Sequence, residues 1–281
     1  MLNLICHANA GDFLRADETF LLADEIANCV MLGSAIRMRD KPGKSDRGTY
    51  FASIMQDGKT VAAAMYAPDR PLNLTPMQPA MIELLTADLQ QRNLAPRHLT
   101  ADEATAREFA DLWVPLNRVE CIEDSGLRIY QLQKVIQPRP TSGRLRLGTN
   151  ADAGLAAEWA AAFDVEVGFG DAQGIKEMVL IGLDEKRLYF WDDAGPVSML
   201  LRNAPTPNAE RVSVVYTPPE CRGRGYGAAA NAALAQLILD SGKRYACLFA
   251  DINNPISNAM YLNIGYQPVR DVHRLEFRPA K

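Results

Sequence analysis

The segment Arg222-Gly223-Arg224-Gly225-Tyr226-Gly227 constrains this chain more than any other. It follows a β-type run, Val212-Ser213-Val214-Val215-Tyr216, and opens an alanine- and leucine-rich stretch that reads as a helix. Glycines at alternate positions let the backbone turn tightly and approach a ligand closely. The first N–H groups of a helix have no intrahelical partner, and the helix dipole puts partial positive charge there. Strand, glycine loop and helix start therefore predict a cradle for a phosphate, with Arg222 and Arg224 adding formal charge. A tight turn that merely needs glycine is the plain alternative. Arginines in place of the usual turn-formers argue against it.

Three kinds of phosphate ligand compete. A P-loop needs Lys-Ser/Thr after its last glycine, and none follows here. A dinucleotide fingerprint fits Gly223-x-Gly225-x-x-Ala228, with Asp251 placed as the ribose-binding acid. Two features weigh against it. Thr217-Pro218-Pro219-Glu220-Cys221-Arg222 separates the strand from the first glycine. The motif also lies too near the C-terminus to be followed by the remaining parallel strands.

The third reading is a resemblance. Arg222-x-x-Gly225-x-Gly227 resembles the Gln/Arg-x-x-Gly-x-Gly/Ala signature of the GNAT superfamily of acyl-CoA N-acyltransferases, and Val215 to Glu220 resembles the stretch that leads into it. A second block agrees. Asn254-Pro255-Ile256-Ser257-Asn258-Ala259-Met260-Tyr261, then Gly265-Tyr266, is similar to the superfamily's C-terminal Asn-x-x-Ser/Ala-x-x-x-Tyr helix and the Gly-Phe/Tyr after it. The resemblance covers residues 143–277 well and the N-terminal half loosely.

The resemblance implies an acetyl-CoA-dependent N-acetyltransferase acting on a primary amine, of a small molecule or of a protein. Such chemistry needs a grip on the pyrophosphate, a polariser of the thioester carbonyl, an acid for the leaving thiolate and a base for the amine. Loop residues Arg222, Gly223, Arg224, Gly225, Tyr226 and Gly227 are the expected grip, with Tyr216 and Thr217 leading into it. By resemblance, the Val215 backbone N–H meets the carbonyl at a splay in its strand. Tyr261 is the candidate acid, since a phenol stays protonated at neutral pH; a core tyrosine is its bland alternative. Asn254 is expected to bond pantetheine, to cap the helix that Pro255 starts, or both. Glu210 is the first candidate for the base, with Asp193, Glu166 or a water chain as alternatives. Cys221 has no obvious His or Asn partner, so direct transfer is favoured over an acyl-enzyme. A non-catalytic acyl-CoA sensor and an NAD(P)-binding module remain the competing functions.

The rest of the chain fits a cytoplasmic enzyme. Its 281 residues suggest one or two domains. A net charge of −4 does not suggest a nucleic-acid partner. Five scattered cysteines without a Cys-x-x-Cys pair argue against a disulfide framework or a metal site. The start lacks the basic and apolar regions of a signal peptide, and no segment approaches a membrane span. Gly43-Lys44-Ser45 echoes a P-loop ending without its first glycine and reads as an exposed loop. His7 and His98 lie in the other half, and His273 on a tail strand, so no histidine joins the site.

Pro138-Arg139-Pro140-Thr141-Ser142-Gly143 reads as a linker between an N-terminal domain, 1–138, and a catalytic domain, 143–281. Upstream, Asp57-Gly58 predicts a hairpin between 50–55 and 60–66. Helices are expected at 78–92 and 102–113, and strands at 97–100 and 127–136. Downstream, a helix at 152–163 precedes a hairpin at 188–202, a strand at 211–216, a helix at 226–240, a strand at 245–250, a helix at 255–263 and a tail strand at 272–277. Gly168-Phe169-Gly170-Asp171 reads as a loop. The order is α+β, and the resemblance implies a GNAT-like mixed and mostly antiparallel sheet flanked by helices. Two such domains in tandem are expected, the first degenerate because Pro71-Leu72-Asn73-Leu74-Thr75-Pro76 replaces the glycine cradle.

Overall fold

The computed structural model describes residues 1–280 apart from 44, 45, 69, 169–171 and 204. Lys44 and Ser45 of the P-loop echo, and positions 169–171 of the expected loop, lie outside the described residues. Contacts group the chain into two units, one of Met1–Ile129, Ala250–Asn253 and Val269–Lys281, the other of Tyr130–Phe249 and Asn254–Pro268.

The chain runs β1 (Leu2–His7), α1 (Ala10–Leu22), α2 (Cys29–Asp40), β2 (Tyr50–Gln56), β3 (Lys59–Tyr66), β4 (Leu72–Leu74), α3 (Pro79–Gln91), β5 (His98–Ala101), α4 (Glu103–Asn117) and β6 (Val119–Leu132). It continues with β7 (Arg144–Leu147), α5 (Ala153–Val167), α6 (Ala172–Asp184), β8 (Leu188–Asp192), β9 (Pro196–Asn203), β10 (Ala209–Tyr216), α7 (Tyr226–Asp240), β11 (Tyr245–Asp251), α8 (Pro255–Asn263) and β12 (Gln267–Pro279). Single 3₁₀ turns aside, the second series repeats the first element for element.

In the first unit the strand order is β1-β2-β3-β4-β5-β12. Helices cover both faces of this sheet, which is why Tyr50 to Ile54 are all buried. Phe51, Ala63 and Met65 pack with Phe13, Leu21 and Leu32 from α1 and α2. Ala52, Ile54, Ala62 and Ala64, on the opposite side of the pleat, pack with Ile82, Leu85, Phe109 and Trp113 from α3 and α4. The β2–β3 hairpin turns through Asp57 and Gly58, both with positive φ (51° and 77°), the geometry that the dipeptide predicts. Asp102 caps α4 by accepting from the Thr105 N–H.

In the second unit the order is β7-β8-β9-β10-β11-β6, and Tyr130 is where β6 enters it. Strands β7, β8, β9 and β10 pair antiparallel, while β10 and β11 are parallel. The sheet is therefore mixed and mostly antiparallel, as expected, and lacks the all-parallel order of a dinucleotide fold. Trp159, Val179, Leu188, Phe190, Met199, Leu201 and Tyr216 form the core on the α5 and α6 face.

The contacts do not divide along the expected linear boundary. Residues 138–143 lie inside the second unit, the division falls at Ile129, and the tail joins the first unit. The reason is pairing: His273 to Glu276 of β12 lie antiparallel to Ala101 to His98 of β5. β6 begins at Val119, well before the expected start, and ends at Leu132. β1, α1, α2, β4, β7 and α6 have no range in the sequence reading, the three strands because runs of three to six residues are too short to show periodicity.

At the start of the second series, Arg146 grips Asp152 with two bonds of 2.8 Å, and Asp152 also accepts from the Thr149 N–H and hydroxyl. The Arg146 guanidinium above all, then Thr149, holds the Asp152 carboxyl far below the usual carboxylate range. A carboxyl depressed in the folded state stabilises the fold above its unfolded value, about pH 4, and loses that contribution as pH falls through the folded value. Asp152→Asn should therefore lower the melting temperature at neutral pH, and the gap from wild type should narrow below about pH 4. Melting curves across pH check this; a constant gap would contradict it.

Candidate active site

The parallel ladder between β10 and β11 runs only from Ala209↔Tyr245 to Arg211↔Cys247, although β10 continues to Tyr216 and β11 to Asp251. On its other side β10 shifts register against β9 between Ser213 and Tyr216. Val214, inside this bulge, has φ 49°, a left-handed conformation that a β-branched residue rarely adopts. Beyond Arg211, then, β10 is unpaired with β11 and bulged against β9 at Val214 and Val215, the place where the resemblance implied a splay. Two groups hold it there. Ser198 Oγ donates to the Tyr216 carbonyl at 3.0 Å and lies 3.0 Å from Thr217 Oγ1. The Trp159 ring packs 5.8 Å from that of Tyr216.

The glycine loop follows. A 3₁₀ turn at Pro219–Cys221 brings the chain round, Gly223 and Gly225 take φ of 75° and 85°, and Gly225 is the N-cap of α7. No side chain caps this helix. A Cβ at Gly223 or Gly225 would meet nothing within 4 Å, so their backbone faces open space. Gly227 is different: a Cβ there would lie 3.2 Å from Thr217 Oγ1 and 3.7 Å from Met260 Sδ. Its absence lets α7, the end of β10 and α8 converge, which places the residue before Tyr261 beside the cradle.

The two arginines part company. Arg222 is a strut: its Nε donates to the Thr217 carbonyl at 2.8 Å, its Nη2 to Glu166 at 2.5 Å, and its guanidinium lies 6.0 Å from the centre of the Tyr216 ring. Arg224 is exposed, and its carbonyl accepts from Thr141 Oγ1 at 3.1 Å. Tyr226 is buried and donates to Asp193.

Asn254 caps α8, with its side chain accepting from the Ser257 N–H at 3.1 Å and Pro255 in the first turn. Tyr261 is buried at 6% exposure, between the rings of Tyr130 at 6.1 Å and Tyr266 at 5.8 Å. Tyr130 is itself held by donating to Asn258 Oδ1 at 2.8 Å. Burial, with Tyr130 beside it, raises the Tyr261 phenol well above its ordinary value, so the proton stays on oxygen throughout the neutral range.

The three carboxylates considered as a base are all engaged. Glu210 is buried at the paired end of β10, opposite Ala246, and ion-paired to Arg202. It stands five strand residues from Val215, about 16 Å away, so the structure does not bring it to the splay. Asp193 accepts from Tyr226 and from Ser142, and the Tyr226 hydroxyl holds its carboxyl below the usual range. Glu166 holds Arg222. Outside this site, Asp251 accepts from the Asn253 N–H in a local turn, and His273 is paired with Glu123. No group of three metal-ligating side chains occurs among the described residues, and no helix there is long and apolar enough to cross a membrane.

Comparison with known proteins agrees with this geometry. Residues 200–275 match a family model described as FR47-like protein. No curated protein matches the sequence. Among solved structures, a Drosophila protein is 13% identical and superposes with a TM-score of 0.72 over 100% of this chain and 99% of its own. A GCN5-related N-acetyltransferase from Sphaerobacter thermophilus is 18% identical, with a TM-score of 0.61 over 99% of this chain and 97% of its own. A tandem GNAT protein from the clavulanic acid biosynthesis pathway is 13% identical, with a TM-score of 0.55 over 100% of this chain and 99% of its own. Identities this low speak for the fold. The chain has a GNAT-like fold, and the resemblance drawn from its motifs is borne out by that fold and by the match over 200–275.

Gly225→Ala tests the cradle's backbone. Nothing crowds the position, so the penalty is the φ of 85° alone, about 1 kcal/mol or somewhat more. The expected outcome is a modestly lowered melting temperature with an intact fold, and unchanged melting would show that the loop does not hold that conformation.

Proposed function

We propose that the second unit is an acetyl-CoA-dependent N-acetyltransferase that moves an acetyl group directly to a primary amine. The observation that carries this reading is the splay of β10 opening beside an uncapped helix start with two open glycines. Acetyl-CoA supplies the activated acetyl thioester. The backbone N–H groups from Gly223 to Gly227 suit the pyrophosphate, with the exposed Arg224 adding positive charge and Arg222 fixing the loop. The Val215 N–H, released from the ladder, suits the thioester carbonyl, because a donor already in place needs no reorganisation as charge develops. Tyr261, kept protonated by burial, suits the departing sulfur: its proton passes to the thiolate as the C–S bond breaks and the C–N bond forms.

The base is best assigned to water. Glu210, Glu166 and Asp193 are each held by another residue, so the proton lost by the amine leaves through solvent at the splay. The same observation favours a second reading, an acyl-CoA-binding sensor without turnover. Release of free thiol with an amine library separates the two. The repeated element order and the tandem relative support reading the first unit as a GNAT-like domain that has lost its cradle, so one equivalent of acetyl-CoA per chain is expected by calorimetry.

Acetyl-CoA should raise the melting temperature by mass action, and NAD should not. Arg224→Glu should remove the shift while leaving the unliganded melting temperature unchanged, since the side chain is exposed. An equal shift with NAD would refute the proposal. Tyr261→Phe should keep acetyl-CoA binding and lose on the order of a hundredfold or more in maximal rate, with little change in the Michaelis constant. Turnover at the wild-type rate with any accepted amine would exclude Tyr261 as the acid.

A further inference from the structure

The first unit contains a cavity of about 230 Å³ where β1 ends, β2 begins and α3 has just finished, with Cys6, His7, Thr49, Tyr50 and Arg92 in its wall. Two hydrogen-bonding groups in that wall are each fixed from behind by a carboxylate. Arg92 Nε donates to Asp88 at 2.8 Å. Asp88 also accepts from the Tyr50 hydroxyl at 2.8 Å and the Cys6 thiol at 3.2 Å. The guanidinium lies 5.9 Å from the centre of the Tyr50 ring. The side chain is still 47% exposed, and its two terminal nitrogens have no protein partner among the described residues.

His7 is held in the same manner. Its Nε2 lies 2.5 Å from Ser53 Oγ, and Phe13 packs edge-on against the ring at 5.7 Å. Ser53 donates its one hydroxyl proton to the fully buried Asp17, which also accepts from Thr60 at 2.6 Å. With that proton committed, Nε2–H is the donor to Ser53. The other ring nitrogen, Nδ1, has no protein partner among the described residues.

We infer that this cavity binds a small carboxylate-bearing molecule, held by the terminal N–H pair of Arg92 and lying against the His7 ring. A guanidinium edge matches two carboxylate oxygens at once, and a fork already fixed by Asp88 and Tyr50 loses little freedom on binding. The volume admits a molecule the size of an amino acid or a short dicarboxylic acid. The glycine loop takes no part, so this site stands or falls apart from the proposed acetyl transfer.

The chain has three histidines, so their ring protons are resolvable by NMR, with His7→Gln giving the assignment. Succinate added to the full-length protein at millimolar concentration should shift the His7 signals saturably and leave those of His98 and His273 in place. Arg92→Gln should weaken this binding about tenfold or more, and Arg92→Lys should not restore it, because a point charge cannot replace the fork. The proposal is overturned if succinate leaves His7 unmoved, or if Arg92→Gln, with wild-type melting, binds succinate as well as the parent. Saturation by inorganic phosphate without any response to succinate would equally overturn the carboxylate assignment.

Discussion

Beyond Arg211 β10 is no longer paired with β11 and bulges against β9 at Val214 and Val215, and the candidate site is assembled around that parting. Strands in a sheet satisfy their N–H and C=O groups through neighbours, so ending a ladder inside a sheet costs hydrogen bonds. The left-handed conformation of Val214 adds to this, at about 1–3 kcal/mol for such a residue. The surroundings offset the cost. Val214 remains buried in the α5 and α6 core, Ser198 takes the Tyr216 carbonyl, and Trp159 fixes the Tyr216 ring. Backbone strain held in place by packing is what a preformed hydrogen-bond donor requires, since a donor that had to move would lose its advantage.

The cradle depends on the same turn. Once β10 has left its neighbour, the chain needs a short 3₁₀ turn and two left-handed glycines to start α7. Gly227 then lets that helix sit against Thr217 and Met260. Arg222, the residue whose charge looked most useful in the sequence, is spent on architecture: it ties the loop to Thr217 and to the end of α5. Beneath the loop, the aromatic group of Tyr130, Tyr261 and Tyr266 shields a phenol from water and keeps it protonated. Tyr266 is buried with no partner for its hydroxyl among the described residues.

The parts legible in the sequence are those set by neighbouring residues. Glycine spacing revealed the cradle, Asn254-Pro255 the helix cap, and Asp57-Gly58 the hairpin. Residues that join the site across the fold left no such trace. Ser198 and Trp159 precede Tyr216 by 18 and 57 positions (216 − 198 and 216 − 159), and Tyr130 precedes Tyr261 by 131 (261 − 130), with no pattern linking them. Glu210 misled for a related reason. Lying on the same strand as Val215 suggests nearness, yet an extended strand separates residues faster than any other element, and the intervening ladder to β11 leaves Glu210 in the paired, closed part of the sheet. The unit boundary was hidden because strand exchange follows pairing partners, which composition does not report.

β12 closes the second series of elements but completes the first unit, where Phe277 packs 5.9 Å from Phe109 and Leu275 is buried beside Leu99. During synthesis, the sheet of the N-terminal unit is therefore completed only once β12 has been made. Until residues 269–280 emerge from the ribosome, β5 presents an open edge and the core under Phe109 lacks its filling. A disturbance of β12 is therefore felt by the part of the molecule that was made first.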